Sequence, residues 1–453
     1  MQLRRSLGLL DVALFFLIAC TNLQWVATAA AAGPSSLPVW LIGCLAMFIP
    51  VSVAVMYLSK QYPEEGGMYV WSKRAFGPFG GFMTGWTYWC SNLPYFPALL
   101  YFTAGNALFI AGGNSGALSA SPAYFIGVSL VAFALATLVN ILGLDVGKWL
   151  NNFGAASRWL VTLILIAVGI LAWVKFGAAT PLNVSSMRPG LQLKDLIFWS
   201  VIAFAWTGPE AIPFMAGEIK KPRTTIPRGL AIAAPAIAAV YILGTASVLV
   251  ALSPGHISGL YGVMQAIGSV SSRVGWFALT PIAAILVTIS CLGSVGVWLG
   301  AVARIPFVAG IDRYLPEAFG RMHPRWGSPV VALLTQAGIS AVFVVAGQGG
   351  TTVKGAYEVM VSATVLITML PFLLLFASAI KLRGTFPVIV AASIGLFTTI
   401  GAIVLAAVPA QDEPNKTLAV VKVLGLTALM LGSGVVVYYF GSRKQQEKNA
   451  VHV

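Results

Sequence analysis

Apolar runs of about twenty residues, separated by short polar clusters, repeat from one end of the chain to the other. That is the length a helix needs to cross a hydrocarbon core of ~30 Å. About twelve such runs can be read, at roughly 8–32, 38–59, 78–111, 122–143, 150–176, 194–217, 229–252, 277–303, 328–347, 357–380, 386–408 and 417–440. The runs are continuous rather than alternating, which excludes a β-barrel. They are too numerous and too even for a signal peptide ahead of a soluble domain. The pattern predicts an all-α polytopic membrane protein, a single transmembrane domain over 1–453 with no soluble domain. The longest polar segments are 252–276, read as either an interfacial helix or a plain loop, and 304–327. The tail at 441–453 is short and polar.

Composition agrees with the pattern. Of 453 residues, 58% are hydrophobic and 9% are charged, and mean hydropathy is +0.88. Soluble domains carry about 25% charged residues. The net charge of +14 in such a chain reflects topology rather than nucleic-acid binding, because Lys and Arg collect on cytoplasmic loops. With an even number of spans both termini share a side. That side holds most of the basic residues, from Arg4 and Arg5 through Lys220, Lys221, Arg223 and Arg228 to Lys448. The expectation is a protein of the cytoplasmic (inner) membrane with both termini inside.

Two spans break the apolar pattern. The first contains ACTNLQW (19–25) and the sixth contains WTGPE (206–210). Gly208 and Pro209 weaken a helix, and Glu210 is an ionisable group at membrane depth, which marks a functional position. Polar or broken backbone inside a bilayer is tolerated only against protein or a water-filled cavity. Interrupted helices in corresponding places of two halves point to a transporter built from inverted repeats. Such breaks free half-helix ends, an N-terminus that attracts an anion and a C-terminus that attracts a cation. A zwitterion fits both. Kinks and interhelical packing are the alternative use of the same residues, above all for the first span.

Four stretches together resemble the amino acid–polyamine–organocation superfamily, in its bacterial amino acid permease form. They are GPSSLPVWLIG (33–43), YPEEGGMYVWSKRAFGPFGGFMTGWTYW (62–89), FAWTGPEAIPFMAGEIKKPRTTIPRGL (204–230) and CLGSVGVWLGAVARIPFVAGIDRYLPEAFGRMHPRWGSPV (291–330). The last four spans match by hydropathy alone. The resemblance implies two inverted five-helix repeats, over 1–176 and 194–380. Two extra helices over 386–440 would follow them, with the first and sixth helices broken at the midplane. It implies that Phe204 acts as a gating aromatic, and that backbone at Ala205, Trp206, Thr207 and Gly208 faces the substrate. Glu210 falls on the family's Gly-x-Glu carboxylate, linked to proton sensing or to the inward path. Trp298 falls where exchangers with a similar CLGS-x-G-x-W carry a pocket tryptophan. Arg158 falls near a fifth-helix lysine whose charge replaces a sodium ion. One departure is marked: the Gly-Ser-Gly-type signature of the first helix is missing. Side chains of Thr21, Asn22 or Gln24 then stand where bare backbone usually cradles a carboxylate. Arg for Lys also means a fixed charge rather than a proton carrier.

Other residues have two readings. Tyr95 and Phe96, between Pro94 and Pro97, are the third-span aromatics placed in the pocket, while Trp86, Tyr88 and Trp89 read as packing or lipid-facing. Glu64 or Glu65 is either part of a glycine-rich turn or a partner for a basic residue of the 304–325 loop when an inner gate is shut. Glu218 is either topology charge or a second gate partner, and Asp11 sits near the interface. Cys20, Cys44, Cys90 and Cys291 lie in apolar runs without CxxC spacing, and His256, His323 and His452 are scattered, so no metal site or cofactor is expected.

Absence of a nucleotide-binding loop, HExxH, GxSxG or paired intramembrane aspartates argues against a pump or an enzyme. No repeated pore ring suggests a channel. The expected function is secondary active transport of amino acids by alternating access, sodium-independent and proton-coupled. Exchange of amino acids or amines, and polyamine transport, are the alternatives. A polyamine would need two or more acidic groups in the cavity, and the sequence shows only Glu210 at depth. The partners expected are a small-molecule substrate, protons and the lipid bilayer.

Overall fold

The computed structural model describes residues 5–111, 116–312, 314–348, 353–408 and 416–451. Arg4 and His452 lie outside them, and the side chain of Lys448 is likewise undescribed. Among the described residues the chain is helical throughout, with no strand beyond one isolated bridge between Leu7 and Ile219.

In chain order the helices are α1 (Leu9–Cys20), α2 (Leu23–Ala31), α3 (Ser36–Gly43), α4 (Ile49–Gln61) and α5 (Met68–Ala107). A short α6 (Gly116–Ser119) precedes α7 (Pro122–Ile141), α8 (Leu144–Phe176), α9 (Leu193–Ala205) and α10 (Pro222–Ala251). Then come α11 (Gly262–Arg273), α12 (Leu279–Val302), α13 (Arg304–Ile311), α14 (Val330–Ala346), α15 (Val353–Lys381), α16 (Phe386–Ala406) and α17 (Lys416–Val451). Ten spans among the described residues are long and apolar enough to cross a membrane. Two shorter apolar helices, Asp195–Ala205 and Val330–Ala346, fall where the sixth and ninth runs were read.

Local chemistry sets the boundaries. α3 and α4 are joined by one π-helical stretch, Cys44–Phe48, so the second span is a continuous but locally widened helix. α5 begins at Met68, ten residues before the apolar run read from sequence. Gly77, at φ 84°, breaks it, and Pro78 opens the next stretch, where its missing N–H costs nothing. The 252–276 segment is not a plain loop. It holds α11, whose Val263, Met264, Ile267 and Val270 are buried against α2, α8, α10 and α12. α17 continues through the polar tail to Val451.

The centre of the bundle is formed by α1, α5, α8, α10, α12 and α15. α5 lies along α15, α8 along α12, and α1 along α10. α16 covers α4 and α9, and α17 touches α5 and α15 while turning Leu424, Leu429 and Val436 outward. Exposed Leu, Val, Ile and Phe on the outer faces are what a lipid-facing surface requires.

Candidate substrate cavity and its two ends

Both interrupted spans are broken where the sequence placed the breaks. α1 ends at Cys20, Thr21 and Asn22 are extended (φ −122° and −140°), and α2 starts at Leu23. α9 ends at Ala205, residues 206–211 are non-helical, and a 3-10 turn spans Ile212–Glu218. The two breaks touch. Gly208 has φ 125°, and a Cβ there would lie 2.9 Å from the Cα of Cys20. Only glycine permits both that conformation and that approach.

Tyr241 of α10 ties the breaks together. Its hydroxyl lies 2.9 Å from the carbonyl of Cys20 and 3.0 Å from that of Ala205, and accepts from the N–H of Asn22 at 3.2 Å. Asn22 caps α2 with its own side chain, accepting from Gln24 N–H at 3.1 Å, and its amide lies 3.4 Å from the Tyr95 hydroxyl. A polar side chain thus fills the place where the resemblance implies bare backbone.

Beside these breaks lies a cavity of about 30 Å³, little more than the volume of one water. Of the residues singled out from the sequence, Asn22, Tyr95, Phe204, Ala205, Thr207 and Trp298 line it. Phe204 meets Trp25 edge-on at 5.3 Å, and Tyr95 meets Trp298 at 5.7 Å. The remaining expected residues stand behind or away from the wall. Thr21 faces Arg158 instead, and Gly208 is the contact between the breaks. Trp206 is fully buried away from the cavity, packed among Trp40, Phe48 and Tyr241, and donates its indole N–H to the Trp40 carbonyl at 3.1 Å beside the widened second span. Phe96 packs on Phe133 at 5.2 Å, and Gln24 is fully buried, its amide without a partner among the described residues.

Sequence reasoning missed Trp25, Tyr88, Asn92, Tyr241, Thr364 and Thr368, all cavity-lining. Tyr88, read as packing or lipid-facing, is buried and packs on Phe214 at 5.1 Å, and it also lines the cavity and donates to Glu210. Spacing held the signal: Tyr88, Asn92 and Tyr95 recur at i, i+4 and i+7, one helical face, and Thr364 and Thr368 at i and i+4.

Glu210 sits one hydroxyl behind the wall. It accepts from Tyr88 at 2.6 Å and from the N–H of Gly208 at 2.8 Å, and is fully buried. Arg158, also fully buried, reaches from α8 across the first break to α12. It donates to the Thr21 carbonyl and the Ser290 hydroxyl, and to the Ser294 hydroxyl at 2.8 Å. Longer contacts of 3.4 Å reach the Thr21 hydroxyl and Ser290 carbonyl. Ser290, Ser294 and Trp298 share one face of α12 at i, i+4 and i+8.

The end of the bundle bearing the first described residues is shut. The N–H groups of Ser6 and Leu7 donate to the Glu218 carbonyl at 3.0 and 3.1 Å, and Lys220 N–H donates to Leu7 at 2.9 Å. Glu218 is paired with Arg304 at 2.9 Å with both buried. Glu64 pairs with Arg74 of its own neighbourhood, and Glu65 accepts from the backbone N–H of Gly217 at 2.6 Å. Asp312 receives Lys73 and the Tyr69 hydroxyl, both at 2.6 Å.

Comparison with known proteins places this architecture. The family model described as amino acid permease matches residues 7–429. The chain belongs to the amino acid permease family. An uncharacterised transporter of Legionella pneumophila is 26% identical, over 91% of this chain and 92% of that one. A probable agmatine/putrescine antiporter of Lactococcus lactis, AguD, is 25% identical over 80% of this chain and 76% of its own. Among solved structures, MhsT in complex with L-phenylalanine aligns with a TM-score of 0.62 at 14% identity, covering 89% of this chain and 99% of that one. MhsT has the LeuT fold, and the permease shares it. The protein is a multi-pass membrane transporter, not an enzyme.

Proposed function

We propose that this permease carries amino acids with uncharged side chains by alternating access, using the cavity between the two breaks. The observation that carries the reading is the composition of that cavity: amides, hydroxyls and aromatic faces, with no carboxylate, ammonium or guanidinium among its lining residues. A diamine buried there would leave a cation unpaired, at a cost far above that of a hydrogen-bonded neutral group. The agmatine/putrescine antiporter among its relatives makes exchange of amines the second reading. The absence of acidic lining argues against the amine and leaves the exchange mode open.

Two inverted repeats, over 1–176 and 194–380, account for breaks that meet at the centre, with both termini cytoplasmic. The half-helix carbonyls of Cys20 and Ala205, now bridged by Tyr241, are the acceptors for a substrate ammonium. Arg158 occupies the oxygen donors of Thr21, Ser290 and Ser294 with a fixed charge, which supports transport without sodium. Glu210, behind Tyr88, is the carboxyl placed to exchange a proton as the cavity opens, which supports proton coupling. A thermal-shift screen of the purified protein against the twenty amino acids and common diamines tests the substrate class. A neutral amino acid raises the melting temperature by mass action, and a response to diamines alone contradicts the reading.

A further inference from the structure

A buried ion pair and a half-buried carboxylate meet at the shut end. Glu218 and Arg304 are 2% and 3% exposed, and one guanidinium nitrogen reaches both carboxylate oxygens, at 2.9 and 3.1 Å. Glu65 approaches the same stretch from the loop between α4 and α5. Its Oε2 takes the Gly217 N–H, and its Oε1 is cut off from water with no donor among the described residues. Glu65 and the Glu218–Arg304 pair therefore meet at one short stretch of backbone, 217–218. Burial pushes the Glu65 carboxyl well above the usual carboxylate range and the charge of Glu218 adds to the rise, while Arg304 and the Gly217 N–H oppose it. The other charges of these elements are engaged or turned to solvent. Arg74 holds Glu64 and Lys73 holds Asp312, while Arg5, Lys220 and Lys221 are exposed.

We propose that Glu65, Glu218 and Arg304 form a proton-binding site on which the inner gate closes: the shut gate holds one proton on Glu65, and opening releases it to the cytoplasm. With both carboxylates ionised the buried cluster would carry a net negative charge in a low-dielectric site, which protonation of one removes. When 217–219 withdraws, both carboxylates hydrate, the Glu65 O–H bond breaks, and the proton passes to water. Because the shut gate binds the proton more tightly, it is favoured at low pH and weakens as cytoplasmic pH rises through the shut-state value. A proton taken and returned on one side drives no transport. It sets how often the gate opens, and an acid cytoplasm holds it shut. This site is separate from Glu210, and the proposal rests on the alternating-access reading and on the cytoplasmic placement of this end.

The test is cysteine accessibility in the full-length protein, in membrane vesicles with the cytoplasmic face outward and no substrate added. Leu7, 5% exposed and bridged to Ile219, is replaced by cysteine. Its labelling by an impermeant maleimide is followed from pH 6 to 8, normalised to the exposed Gln61→Cys to remove thiol ionisation. The normalised rate should rise several-fold with pH, at most about tenfold per unit for one proton. Glu65→Gln should hold it low and flat. Glu218→Gln removes the neighbouring negative charge and keeps that of Arg304, so the response should persist with its midpoint lower. A flat parent profile, or a rise that Glu65→Gln leaves in place, overturns the proposal. Should Glu65→Gln fail to fold, an unmoved midpoint in Glu218→Gln overturns it alone. In a separate arm at fixed pH with amino acids added one at a time, labelling of Leu7→Cys that never responds counts against the transport reading instead, so the two failures are distinguishable.

Discussion

The Arg158 guanidinium donates to the carbonyl of Thr21, a side chain of the fifth span fixing the broken backbone of the first. Ser290 and Ser294 hold the same guanidinium from α12, so one cation joins three helices behind the cavity wall. Uptake into proteoliposomes is therefore expected to be unchanged when sodium is replaced by potassium or choline. Strict sodium dependence would show that Arg158 does not stand in for the ion.

Removing that cation should be structural as well as functional. Arg158→Met strands the Thr21 carbonyl and the Ser290 hydroxyl, while Ser294 keeps its bond to the Ser290 carbonyl, each unsatisfied group costing about 1–3 kcal/mol. A large drop in Tm with loss of uptake is expected, and Arg158→Lys, which keeps the charge without the planar fork, should recover more Tm than rate.

Gly208 should tolerate no side chain. Its positive φ and its contact with the backbone of Cys20 mean that Gly208→Ala strains one break and pushes on the other, at about 1–3 kcal/mol for the conformation alone. Uptake should fall more than Tm, because the contact lies between the two moving half-helices. A fully active Gly208→Ala would mean the breaks do not need to touch.

For Glu210, uptake against pH is the readout. Glu210→Gln keeps the shape and a group for Tyr88 and Gly208 to meet, but cannot release a proton. The expectation is near-normal Tm and much weaker pH sensitivity between about pH 5 and 8, as for a carboxyl whose ionisation follows its solvation. An unchanged profile at normal rates would leave Glu210 as a hydrogen-bonding residue only.

Helix positions were legible in the sequence because hydropathy and breakers act locally: Gly208-Pro209 ends α9 whatever surrounds it. What remained hidden depended on neighbours in space. Tyr95 and Phe96 share a local context, yet adjacent helical residues point about 100° apart, so one lines the cavity and the other meets Phe133. Tyr241 is a lone tyrosine in an apolar span, and nothing near it in the chain announces that both breaks converge on its hydroxyl. The helix from Met68 to Gly77 lacks the apolar run that reveals a span, since Lys73 and Arg74 serve the shut end.

Selectivity should follow charge in the cavity. Asn92→Asp places a carboxylate beside Tyr88 and Tyr95, and is expected to shift competition toward cationic amines by about tenfold, equivalent to roughly 1.4 kcal/mol. Inhibition of uptake by putrescine and by neutral amino acids, compared between variant and parent, gives the ratio.

Solute counterflow is the most direct measurement of the central claim. Proteoliposomes preloaded with one unlabelled compound at a time, amino acids and diamines, are given a trace of the same compound labelled outside, without sodium. The account predicts saturable, trans-stimulated accumulation of a neutral amino acid, and its loss when Thr207→Trp fills the cavity. Counterflow by diamines alone, or flux that neither saturates nor responds to the preload, would contradict it.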